Sequence, residues 1–142
     1  MSASIQPYWT SFYPGFRLLD GGEVGNLQTQ TASSKYGISA GPAGNQAAAT
    51  PLGNFINEVG TAVAGGGVKL SPAVTGLSQV VVNSSTAAVT VWGNDNNPQT
   101  PVGVLDQIMP VGAVAPVTNF SLAVGGQALL VATRPGFWKR MI

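Results

Sequence analysis

Side chains that could carry out acid–base or nucleophilic chemistry are few and widely spaced in this chain. It has five acidic residues in 142, no histidine and no cysteine. Neither a Ser-His-Asp nor a Cys-His arrangement can be built, and no thiolate is present to bind zinc. General acid and base roles need paired carboxylates, whereas Glu58 and Asp106 lie in separate predicted strand regions. The sequence therefore predicts no enzyme activity, no catalytic residue, no metal site and no cofactor.

Two short patterns could indicate ligand binding, but for each of them a purely structural interpretation is favoured. The glycines at 65–67 precede Lys69, but no Ser or Thr comes directly after the lysine and no helix begins there, so a strand connection is favoured over a phosphate loop. The polar segment 93–101 contains one acid, Asp95. Calcium prefers several carboxylates, so we interpret this segment as a surface loop. Trp92 beside Asp95 is the one aromatic–carboxylate pair that could bind a sugar.

Charge is sparse and nearly balanced along the chain. Six basic and five acidic residues give a net charge of +1 and only 8% charged residues, against about a quarter in an ordinary soluble domain. No basic stripe is present, so we expect no nucleic-acid partner. No apolar run is long enough to span a membrane and no export signal is evident, which predicts synthesis in the cytoplasm and no membrane partner. A neutral surface favours association, so we expect the protein to work within an assembly.

Glycine and proline interrupt every apolar stretch before it completes three helical turns. The chain has 19 Gly and 10 Pro, and neither is tolerated well inside helices. Short apolar runs bounded by turn residues predict strands instead. We place them at 55–63, 68–70, 77–83, 87–92, 102–105, 108–111, 119–124 and 127–133, with a closing piece at 136–140. The fold class expected is all-β, a jelly-roll-like β-sandwich.

Two of the predicted connections look like hairpins. Residues 83–86 are turn formers between two apolar runs, and Gly125 with Gly126 separates another two. The alternation in these strands predicts a buried core, whose members are Val80, Val82, Val89, Val91, Leu122, Leu130 and Trp138.

Residues 1–46 differ in composition from residues 47–142 and are predicted to be an extended arm and linker preceding the β domain. Five aromatic residues lie between positions 8 and 16 without a strand or helix period. Either they fold back over the β domain of the same chain, or they dock on another subunit, and the two alternatives weigh equally. The predicted contact residues are Tyr8, Trp9, Phe12, Tyr13, Phe16 and Arg17.

Three segments, at 46–52, 54–92 and 123–141, resemble small virion proteins of tailed bacteriophages. The shared features are the motif Ala-Thr-Pro-Leu, a glycine turn before Val-x-Leu, the sequence VVNSSTAAVTVW, and a final Pro-Gly-x-Trp that ends at Trp138. The segment LDQIMPVGA departs from the family pattern, since it keeps Asp106 and Ile108 but lacks an Asn-Gly turn.

The resemblance implies a capsid decoration, or cement, protein on the virion surface. Its partners would be the major capsid protein and further copies of itself, as a dimer or trimer. A head- or tail-fibre module that binds a receptor or glycan is the alternative. Fibre modules usually form the tip of a long repetitive shaft. A chain of 142 residues leaves no room for a shaft, which favours the decoration protein.

Overall fold

The computed structural model describes residues 33–142, and within them the chain forms eleven strands and no helix. This confirms the predicted all-β class. The strands are β1 (Ser34–Ser39), β2 (Gly41–Ala43), β3 (Thr50–Pro51), β4 (Ile56–Thr61), β5 (Gly66–Lys69), β6 (Ser78–Asn83), β7 (Val89–Trp92), β8 (Gln107–Met109), β9 (Asn119–Leu122), β10 (Gln127–Arg134) and β11 (Phe137–Arg140).

These strands form two sheets. The six-stranded sheet has the order β1-β4-β6-β10-β11-β8, and the five-stranded sheet has the order β2-β5-β7-β9 with β3 also paired to β5. One cluster of buried side chains draws on both sheets, including Val59 and Leu130 from the first and Val68 and Val91 from the second. Two sheets that share one apolar core are consistent with a β-sandwich.

Strands β4 to β7 alternate between the two sheets. β4 and β6 pair in parallel in one sheet, and β5 and β7 pair in parallel in the other. The chain thus winds through two stacked coils before β9 and β10 return antiparallel to β7 and β6. Jelly rolls are built of antiparallel strands, and five of the nine strand pairings here are parallel, so the jelly-roll part of the expectation is not confirmed.

Both predicted hairpins are wrong, because each pair of strands is divided between the two sheets. β6 and β7 do not pair with each other, and neither do β9 and β10. The buried side chain of Asn83 explains the geometry: its Nδ2 donates to the carbonyls of Ala87 and Ala123, which lie in the two connections, and of Leu122, the last residue of β9. Gly125, with φ of 75°, donates its N–H to the Asn83 carbonyl. The turn-forming residues therefore carry the chain across the core.

The prediction for strand β6 is wrong, because the face that it turns towards the core is the one opposite to Val80 and Val82. Its buried residues are Gln79, Val81 and Asn83, whereas Val80 and Val82 are only half-buried and lie outside the core cluster. A strand's side chains alternate between faces, so an error of one residue in assigning the inward face reverses every position. The other predicted core residues, Val89, Val91, Leu122, Leu130 and Trp138, are buried as expected.

This assignment of the inward face predicts unequal effects of two neighbouring substitutions. Val81→Ala should lower the free energy of unfolding by about 2 kcal/mol through lost burial and a cavity, and Val80→Ala by less than about 1 kcal/mol. Urea unfolding followed by circular dichroism measures both. Equal losses, or a larger loss for Val80→Ala, would contradict the assignment.

The β domain also begins earlier than residue 47. β1 pairs with β4, and β2 with β5, so residues 34–43 belong to the two sheets rather than to the predicted linker. These residues are poor in large apolar groups, but a strand at a sheet edge obtains its backbone hydrogen bonds from its neighbour. The strand predicted at 102–105 does not form, since a turn occupies residues 102–103 and the next strand begins at Gln107.

Candidate functional site

The surface of the six-stranded sheet that faces away from the core, here called the outer face, is apolar at its centre. Ile56, Val80 and Leu129 lie side by side on β4, β6 and β10. The row continues to Met141, whose N–H donates to the Leu129 carbonyl just beyond β11. Val82 is two residues further along β6 than Val80, on the same side of the sheet. Ile56 and Met141 are exposed, and the others are half-buried.

Polar and charged side chains surround this apolar centre, among them Arg134, whose guanidinium lies 3.8 Å from the centre of the Phe137 ring. Glu58, on β4, lies level with Val82 and Gln127. Lys139, on β11, lies level with Val131. The Glu58 carboxylate accepts a 2.5 Å hydrogen bond from the Ser84 hydroxyl. An apolar centre with a polar rim is the usual composition of a protein–protein contact surface.

A groove of about 350 Å³ continues the outer face past the edge strand β8. Met109, Val111 and Met141 give it apolar walls, and Lys139 and Arg140 line it on the β11 side. The Arg140 guanidinium lies 4.4 Å from the centre of the Phe120 ring. Burial lowers the pKa of Arg140 from its ordinary value. The groove therefore combines apolar walls with basic groups.

The chain that reaches β8 is anchored by a buried carboxylate. Asp106 is fully buried, and its Oδ2 accepts a 2.7 Å hydrogen bond from the Ala73 N–H. The side-chain amide of Asn97 donates to both carboxylate oxygens at 3.0 and 3.2 Å. At Gly93 a Cβ atom would collide with the Asp106 carbonyl, so only glycine allows this close approach. These contacts fix the loop at 93–106 to the sandwich and so position β8.

Asp106 should make the stability of the fold depend on pH in a specific direction. Burial raises its pKa, outweighing the hydrogen bonds from Ala73 and Asn97, which lower it. Between the ordinary value, about 4, and the raised value, the folded state binds the proton more tightly than the unfolded chain. This contribution to stability therefore grows as pH falls through the raised pKa and is lost as pH rises through it.

The variant Asp106→Asn should lack this contribution, because an amide does not titrate. We expect the difference in urea midpoint between the original protein and the variant to change between pH 4 and pH 7, with the original gaining relative stability at the acidic end. Glu58 and Asp95 are common to both proteins, so they cancel in the comparison. A pH-independent difference, or one of opposite sign, would contradict this assignment.

Trp92 and Asp95, the possible sugar-binding pair, make other contacts in the structure. Asp95 forms a 2.9 Å salt bridge with Lys69. The Trp92 Nε1 is buried and has no hydrogen-bond partner in the described structure. A Cβ atom built on Gly67 would lie only 3.0 Å from that nitrogen, so the indole edge packs against the strand backbone. The Asp95 carboxylate that a sugar would need is therefore already paired with Lys69.

Residues 33–142 offer neither a metal-binding cluster nor a membrane-spanning helix. No group of three or more His, Cys, Asp or Glu side chains that could hold a metal ion occurs there. No helix in that range is long and apolar enough to cross a membrane. The six predicted contact residues, Tyr8, Trp9, Phe12, Tyr13, Phe16 and Arg17, lie outside the described residues.

The outer face was not among the predicted features, although the sequence contains a signal for it. The run Val80, Val81, Val82 in β6 and the run 128–132 in β10 are apolar at both alternating positions. A strand exposed on one side alternates between apolar and polar residues, whereas a strand covered on both sides is apolar throughout. These two runs therefore predict a sheet with two apolar faces.

The comparisons with known proteins give no match. No protein-family model matches the chain, and searches of curated proteins and of solved structures likewise find nothing similar.

Proposed function

We propose that this protein is a structural virion protein, a capsid decoration or cement protein. It binds between major capsid subunits and stabilises a bacteriophage head. It is assembled in the host cytoplasm, is located on the capsid surface and takes part in no catalysis. The observation that carries the proposal is the apolar centre of the outer face, which favours a protein that works within an assembly, because an ordinary soluble sheet places polar side chains on its solvent side.

The composition of the chain supports the same proposal. Only 11 of 142 residues are charged, so few ion pairs are available to hold the protein on a shell, and exposed pairs contribute about 0 to 1 kcal/mol each. Apolar burial contributes about 25 cal/mol per Å², and five aromatic side chains together offer several hundred Å². Contact through apolar and neutral polar groups therefore dominates attachment.

Attachment to capsids should consequently resist salt but depend on the arm aromatics. In 1 M sodium chloride, which screens charges beyond about 3 Å, the full chain should remain bound to isolated heads. The double variant Trp9→Ser with Phe12→Ser should bind at least about tenfold more weakly, because both changes remove apolar area from the contact. Co-sedimentation with heads over a range of protein concentrations measures both effects.

The matched control is the double variant Val102→Ser with Val114→Ser, which alters two fully exposed apolar residues of the β domain. It should bind like the original protein. Release of the original protein at a few hundred millimolar salt, with the aromatic double variant still attached, would overturn the proposal that apolar contact holds the protein on the shell.

A further inference from the structure

We infer that two copies of this chain associate through their outer faces. They are related by a two-fold axis that lies in the plane of contact and crosses the point midway between Val80 and Leu129. The inference deepens the proposed function, which includes self-association, by naming the surface and its symmetry. It follows from the arrangement of apolar and charged side chains on the face.

The apolar part of the face lies at its middle. Val80 and Leu129 are paired neighbours on β6 and β10, the two central strands of the six-stranded sheet. Ile56 extends the apolar row on one side and Met141 extends it on the other. A contact centred on this pair covers both flanks of the row equally, as an isologous interface requires.

Two opposite charges of the face, those of Glu58 and Lys139, lie at opposite corners. Glu58 is on β4 and Lys139 is on β11, three strand spacings apart, or about 14 Å. Glu58 is level with Val82, and Lys139 is level with Ser78 through Val131, so the two are also offset by four residues, or about 13 Å, along the strands. The midpoint between the two charges falls between Val80 and Leu129, where the apolar row has its centre.

This placement makes the face complementary to itself. A two-fold axis lying in the contact plane, perpendicular to the diagonal from Glu58 to Lys139, exchanges the two corners. Each carboxylate then faces the ammonium group of the other copy, giving two symmetric ion pairs around one apolar centre. Among the described residues neither Glu58 nor Lys139 has an ion-pair partner of its own.

The same axis fixes how the two sheets cross. Because the diagonal runs at about 45° to the strands, rotation about its perpendicular brings the strands of the two copies to nearly a right angle. Orthogonal packing is one of the two ways in which β-sheets stack face to face. An unrelated partner could also cover an apolar row. A second copy of the face, in addition, places Glu58 opposite Lys139 at both corners.

Charge reversal and its rescue test the inference most sharply. In analytical ultracentrifugation, the full chain at about 100 μM should sediment as a dimer, since even a micromolar interface is saturated there. Glu58→Lys and Lys139→Glu should each raise the dissociation constant about tenfold or more, because each places like charges opposite one another twice. The double variant carrying both changes should return to within about threefold of the original value.

A second pair of variants tests the apolar centre. Leu129→Lys should abolish the dimer, whereas Val114→Lys, at a fully exposed position outside the strands of the face, should leave it intact. Thermal unfolding establishes that each variant is folded. A monomeric or trimeric full chain, failure of the double charge reversal to restore association, or equal effects of the two lysine variants would each overturn the inference.

The result is distinguishable from a failure of the proposed function, because the dimer is measured without capsids. A dimer that meets these expectations but does not bind heads would support the two-fold contact and overturn the capsid function. A monomer that binds heads would do the reverse. Dimerisation that appears only when residues 1–32 are removed would show that those residues cover the face, and it would also overturn the inference.

Discussion

Replacing Trp138 with alanine should lower the free energy of unfolding by about 3 to 5 kcal/mol. Trp138 is fully buried and is the largest fully buried side chain among the described residues. It lies on β11 between Ala132 of β10 and Ile108 of β8, so its ring joins three strands at one end of the six-stranded sheet. Alanine would leave a cavity there that three paired strands have little freedom to close.

Trp138→Phe provides the matched control. The Trp138 Nε1 is buried without a hydrogen-bond partner in the described structure, so phenylalanine removes volume but no hydrogen bond. We expect it to cost less than half as much as alanine. Urea unfolding of both variants measures the difference, and an alanine variant within about 1 kcal/mol of the original protein would contradict the burial of this ring.

Replacing Asn83 with alanine should cost about 3 kcal/mol, although it removes little volume. The two amide hydrogens of Asn83 serve three carbonyls, and its Oδ1 accepts hydrogen bonds from the Ser85 N–H and hydroxyl at 3.0 and 2.7 Å. Alanine leaves these buried groups without their partner, and each unsatisfied group costs about 1 to 3 kcal/mol.

Two further variants separate the role of Asn83 from a general loss of polar contact. Ser85→Ala removes the bonds that its hydroxyl makes to Asn83 and to the Ala87 carbonyl, and it should cost about 1 kcal/mol. Asn83→Asp keeps the acceptor but replaces the donors with a buried charge, so it should destabilise at least as much as alanine. If Asn83→Ala were no more costly than Ser85→Ala, Asn83 would not be what holds the two connections.

The strands were more predictable from the sequence than their partners. Seven predicted strands and the closing piece overlap observed ones, because apolar runs between turn residues are local signals. Asn83 and Gly125 look like ordinary turn residues in the sequence. That the amide of Asn83 reaches carbonyls 39 and 40 residues away depends on long-range packing that no local pattern contains.

The outer face could be predicted only in part for a related reason. Val80, Val81 and Val82 are equally apolar, so the sequence does not say which of them faces inward. Gln79 and Asn83 settle the matter in the structure, since both are buried and hydrogen-bonded, Gln79 to the Ser71 N–H and the Leu52 and Asn54 carbonyls. Polar residues that satisfy backbone groups inside the core are invisible to a rule that places apolar residues inside.

The most direct test of the capsid-surface function is cryo-electron microscopy of virions assembled with and without this chain. We expect density on the outer surface of the head, between major capsid subunits, that is present only when the chain is made. Heads lacking it should release their DNA at lower temperature than complete heads. Identical head surfaces in the two preparations, or difference density confined to a fibre or the tail, would contradict the proposed function.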